Sequence, residues 1–130
     1  MRKKAIAIIA ASLAAALVLA GTALSRVAST PTLKGVVGPG FTISLKKAGK
    51  SVKGKTLKAG TYKLVISDKS DFHNFTLERE KPRKPHFEFH ITKTGFTGSK
   101  TKTITLKPGN WRFYCSIHEA MMHGDFKVTK

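Results

Sequence analysis

The chain has 130 residues, of which 24 are Lys or Arg and only 7 are Asp or Glu, giving a formal net charge of +17 at pH 7. With the N-terminal segment set aside, about 100 residues remain, which is enough for one domain with a single core and too little for two. The single cysteine, Cys115, excludes an internal disulfide framework.

The chain begins with the basic tetrapeptide Met1-Arg2-Lys3-Lys4, followed by an apolar run from Ala5 to Ala20 interrupted only by Ser12. Small residues follow, in Ala23-Leu24-Ser25 and Val27-Ala28-Ser29, and this order is that of a secretory signal peptide. The run is Ala-rich and shorter than the roughly 20 residues a spanning helix needs, so residues 1–25 are expected to be a signal peptide; an uncleaved N-terminal anchor is the alternative. No cysteine follows the run, so lipid modification is not expected. Residues 26–34, with Ser29, Thr30 and Pro31 and no periodicity, read as a linker.

Beyond the linker the pattern has a period of two. Gly38-Pro39-Gly40 is a turn signal, and Phe41 to Leu45 alternates as a half-buried strand does. Thr61 to Ser67 places Tyr62, Leu64 and Ile66 on one face, and His73 to Leu77 begins another strand. Lys81-Pro82-Arg83-Lys84-Pro85 breaks the pattern as an exposed loop. His86 to Ile91 alternates again, with Phe87, Phe89 and Ile91 opposite His86, Glu88 and His90. Thr101 to Lys107, Trp111 to Tyr114 and Asp125 to Thr129 complete the set. Short strands separated by frequent turn signals predict an all-β sandwich or barrel.

The charge is concentrated. Lys46, Lys47, Lys50, Lys53, Lys55 and Lys58 crowd one stretch, a field that draws anionic partners such as cell-wall polymers or lipid head groups. The stretch has no interleaved aromatics for base stacking and no recognition-helix pattern, so no nucleic-acid role is expected.

The most specific chemistry lies in Cys115-Ser116-Ile117-His118-Glu119-Ala120-Met121-Met122-His123-Gly124. A thiolate, an imidazole three residues on and a thioether share one loop, and His73 supplies a second imidazole after the strand-like run. Soft sulfur ligands with imidazole suit copper better than calcium or magnesium. A cysteine-hydrolase reading fails, because Cys115 has a nearby His but no evident third member or oxyanion device. His86, Glu88 and His90 lie about 7 Å apart along one strand face, wide for one small ion, and read as an exposed polar face. His123 reads as a surface residue or a pH-sensitive neighbour of Met122, and not as a ligand.

Taken together, Thr61-Tyr62-Lys63, His73-Asn74-Phe75, Pro108-Gly109-Asn110-Trp111-Arg112-Phe113-Tyr114-Cys115 and Met122-His123-Gly124 resemble a cupredoxin, a plastocyanin- or amicyanin-like blue copper domain. The resemblance covers residues 35–130 and implies a Greek-key β-sandwich holding one type 1 copper ion. It implies His73, Cys115 and His118 as ligands, with Met122 in the axial position because Met-x-Gly closes the loop in such domains; Met121 is the alternative under a shorter spacing. It also implies Asn74 as a brace that hydrogen-bonds across to the Cys loop. The function expected is exported, periplasmic, extracellular or cell-surface electron transfer between redox partner proteins by a monomer that is not an enzyme. The basic surface would favour acidic partners. The rival expectations are copper delivery, storage or resistance with the same ligands, or a metal-free basic sandwich that binds polyanions.

Overall fold

A computed structural model describes residues 27–130, so the expected signal peptide, residues 1–25, lies outside the described residues. The described chain is all strand and turn. Ten strands run in order: β1 (Thr32–Val37), β2 (Ile43–Lys47), β3 (Lys50–Ser51), β4 (Thr56–Lys58), β5 (Gly60–Asp68), β6 (Phe75–Lys81), β7 (Glu88–Thr92), β8 (Gly98–Leu106), β9 (Gly109–Tyr114) and β10 (His123–Thr129). They form two five-stranded sheets, in the orders β3-β2-β1-β5-β8 and β4-β10-β9-β6-β7. Most neighbours are antiparallel, but β1 pairs with β5 and β10 with β4 in parallel, so both sheets are mixed. The chain passes repeatedly from one sheet to the other, as the expected Greek-key β-sandwich requires.

Alternation decides which side chains meet between the sheets. In β5 the buried positions are Tyr62, Leu64, Ile66 and Asp68, as the period of two predicts. Leu33, Val37 and Leu45 extend that inner face, and Leu77, Trp111, Phe113, Phe126 and Val128 oppose it. The aromatic rings order the interior. Phe75 and Phe113 stack at 6.1 Å and 2°, and Phe89 and Trp111 at 6.3 Å and 1°. Such stacking adds about 0.5–1.5 kcal/mol per pair beyond the area buried. Trp111 is wholly buried, and its indole N–H donates to the Lys107 carbonyl at 2.8 Å, so no donor is stranded.

Two details differ from the sequence reading. The segment read as a linker gives its last three residues to β1, which runs beside β5 and buries Leu33 completely. The strand expected from Phe41 starts at Ile43, and Phe41 stays half-exposed at the end of the sandwich.

Candidate metal centre

That end is where the chemically distinctive residues collect. His73 sits in the turn that leads into β6, and Cys115 follows the last residue of β9. The loop from Cys115 to Met122 then folds back on itself. The Cys115 amide donates to the Met122 carbonyl at 3.0 Å, and the Met122 and Met121 amides both donate to the His118 carbonyl, at 2.8 and 3.0 Å. These bonds close the loop at its base and swing His118 back towards His73. Gly124, opposite Phe113 across β9 and β10, permits the close return, because a Cβ there would run into the Phe113 ring.

His73 and His118 present their Nδ1 atoms to each other at 3.1 Å, and Cys115 Sγ lies 3.8 Å from the first and 3.9 Å from the second. Metal–nitrogen bonds of about 2.0–2.1 Å and metal–sulfur bonds of about 2.3 Å place two donors on one ion no farther apart than about 4.1–4.4 Å. All three edges of the triangle fall below that limit, so the donors as they stand fit a single ion. Cys115 is wholly buried and His73 nearly so, whereas His118 is partly exposed. The phenyl ring of Phe41 packs on both imidazoles, 5.4 Å from His73 and 5.0 Å edge-on to His118. Of the two methionines, Met122 is wholly buried and Met121 is 64% exposed.

Around the triangle the loop is fastened. The Asn74 side-chain amide donates to Ser116 Oγ at 2.8 Å, and its carbonyl accepts the Ser116 backbone N–H at 2.9 Å. This two-bond clasp ties the residue after His73 to the residue after Cys115. The Arg112 guanidinium forks onto Asp125 at 2.7 and 3.1 Å and reaches Glu119 in the loop at 2.7 Å. The hydrogen bonds from Arg112 hold the Asp125 carboxyl below the usual carboxylate range despite its partial burial. His123 points elsewhere, its Nδ1 donating to the Glu119 carbonyl at 2.7 Å.

Phe41 and Arg112 were missed as parts of the site by the sequence reading. Arg112 has a legible signal in its alternation with Trp111 and Phe113, which sends it outward. Phe41 has none, since its role depends on how the loop after β1 crosses the end of the sandwich.

No family model and no curated protein matches the sequence. Solved structures do. A methionine-to-leucine variant of rusticyanin matches over 77% of this chain and 76% of its own at 18% identity, with a TM-score of 0.51. Auracyanin A, a "blue" copper protein from the green thermophilic photosynthetic bacterium Chloroflexus aurantiacus, matches over 75% of this chain and 98% of its own at 14% identity, with a TM-score of 0.50. At these identities the likeness is one of fold alone. The chain has a cupredoxin-like β-sandwich fold.

Proposed function

We propose that the protein is an exported electron carrier that holds one type 1 copper ion and passes single electrons between protein partners. The observation that carries this reading is the triangle of two imidazole nitrogens and one thiolate sulfur, with every edge under 4 Å, built into a rigid sandwich. Such a donor set, completed by a weak axial thioether, suits both oxidation states of copper. The bound ion would supply the one-electron couple. The residues of the chain do the rest. His73, Cys115 and His118 would hold the ion, with the buried Met122 as the further thioether ligand. Asn74 and Arg112 keep the loop from relaxing as the charge changes. Phe41 shields the imidazoles from water.

Four exposed large apolar side chains, Phe41, Phe72, Ile117 and Met121, either pack on the two imidazoles or neighbour the cluster in sequence. The only other one among the described residues is Val27, near the N-terminus. Exposed apolar side chains beside the more exposed imidazole, His118, suit brief docking that brings a partner close to the metal. The strongly basic composition, which outlasts removal of Arg2, Lys3 and Lys4 with the signal peptide, then selects acidic partners. With such a partner, the association rate is expected to fall steeply as ionic strength rises, and a rate indifferent to salt would remove the acidic-partner part of the reading.

The decisive test is the absorption and paramagnetic resonance spectrum of the purified protein with one equivalent of Cu(II). An intense blue or green thiolate charge-transfer band with narrow copper hyperfine splitting is expected. A colourless Cu(II) form, or uptake of Cu(I) alone, would favour copper delivery or storage instead.

A further inference from the structure

The charges of this basic chain are sorted by sheet. The sheet β3-β2-β1-β5-β8 turns one face to the core and the other outward. Alternation sends Lys34 of β1, Lys46 of β2 and Lys63 of β5 outward, and all three are exposed. Lys34 stands directly opposite Lys46, and Lys63 lies beside Thr32, two residues along β1 from Lys34. Like charges placed so oppose strand pairing. No carboxylate offsets them, since the ion pairs among the described residues involve only His86, His90 and Arg112.

The acids are elsewhere. Of the seven in the chain, only Asp68 belongs to this sheet, and it is buried at the end of β5 nearest His73. Glu78, Glu80, Glu88 and Asp125 belong to the other sheet, while Asp71 and Glu119 lie in the turns that carry His73 and His118. Lysines often guard the open edge of a sheet, and Lys50 on β3 fits that role. Lys34, Lys46 and Lys63 do not, because β1, β2 and β5 each have a strand on both sides.

The same corner of the sheet is hollowed. A cleft of about 440 Å3 opens beside Lys34, Lys46 and Lys47, between Pro31-Thr32 and the Ala48-Gly49 turn. Ala48 and Gly49 have φ of 47° and 77°, the left-handed pair of a two-residue hairpin turn, and offer only a methyl group and a hydrogen as bulk. The Lys47 ammonium rests 5.6 Å over the Tyr62 ring, whose negative face holds it there. The strands of this sheet present no exposed large apolar side chain to enter a bilayer and no exposed aromatic to stack on a base.

We propose that this face binds a linear polyanion, a chain of phosphodiester groups without bases, laid through the cleft and across Lys34, Lys46 and Lys63. A cleft receives a chain where a bilayer would only bridge it. Lysine offers the point charge that suits a singly charged phosphate, and the Arg fork that grips a carboxylate is missing from the face. Lys34 and Lys46 stand three residues, and Lys63 five, from the strand ends nearest the metal centre, about 10–17 Å of strand. A chain held there leaves the surface beside His118 open.

The probe is a synthetic, base-free oligomer of glycerol phosphate, titrated into the protein with one equivalent of copper at physiological ionic strength. Saturable binding that weakens as salt rises is expected. Lys34→Gln/Lys46→Gln/Lys63→Gln should weaken it roughly tenfold or more, and Lys84→Gln/Lys127→Gln/Lys130→Gln, an equal loss of charge outside this sheet, by less than about threefold. All six side chains are exposed, and matched far-ultraviolet dichroism identifies variants that fold. The readout compares two variants with the same metal content, so it does not depend on the electron-transfer reading. Equal weakening by both triple variants, or no saturable binding by the wild type, overturns the proposal. So does binding to vesicles of equal parts phosphatidylglycerol and phosphatidylcholine without binding to the oligomer, which would give the face to a membrane.

Discussion

Replacing Cys115 with serine is expected to abolish the intense visible band of the Cu(II)-loaded protein and to weaken copper binding by more than the roughly 10- to 100-fold that loss of an outer partner costs. The thiolate is the only sulfur anion the chain can offer, since no other cysteine exists. It is wholly buried, so no solvent ligand can readily take its place. A serine hydroxyl keeps the shape but is a far poorer donor for a soft ion. His73 and His118 remain 3.1 Å apart and could still hold copper, but that copper would be colourless by comparison. Spectra of wild type and variant, each with one equivalent of Cu(II) and matched far-ultraviolet dichroism, make the comparison. A band that survives in Cys115→Ser would remove the thiolate from the site and with it the electron-transfer reading.

The parts of this molecule that repeat locally are those its sequence discloses. Tyr62, Leu64 and Ile66 recur at every second position, and all three are buried in β5. The three donors His73, Cys115 and His118 were legible because their residue types are rare and two of them share a loop. What escaped was contact between distant segments. β1 contains Lys34 and Gly35, shows weak alternation and is defined by its parallel pairing with β5, so its first three residues read as linker. β3 and β4 have two and three residues, too few for any period to show. Arg79 offers another case. It lies buried in β6, its guanidinium donating to the Pro85 and Pro108 carbonyls and resting 4.6 Å over the Phe87 ring, and no local signal marks a charged side chain for that place. The Lys34–Lys46 opposition is of the same kind, since it exists only once β1 and β2 are paired.

The two adjacent methionines give the second large contrast. Met122→Ala is expected to destabilise the metal-free protein by about 2–5 kcal/mol, because it empties a wholly buried position. Met121→Ala should change stability by no more than about 0.5 kcal/mol, its side chain being 64% exposed. Denaturant unfolding of both variants without copper measures that difference, but it does not by itself separate packing from a part in the metal site. Met122→Leu does so. Leucine nearly conserves the volume, so the stability loss should stay under about 1.5 kcal/mol while the thioether sulfur is gone. If Met122 fills the axial place, Met122→Leu shifts the visible spectrum and the reduction potential of the copper form, which the axial ligand tunes, and Met121→Leu leaves both unchanged. The backbone favours this outcome, since the Met122 carbonyl accepts the Cys115 amide proton and so carries residue 122 back to the base of the loop beside the thiolate. A spectrum that responds to Met121→Leu and ignores Met122→Leu would hand the axial position to the shorter spacing and leave Met122 as core packing.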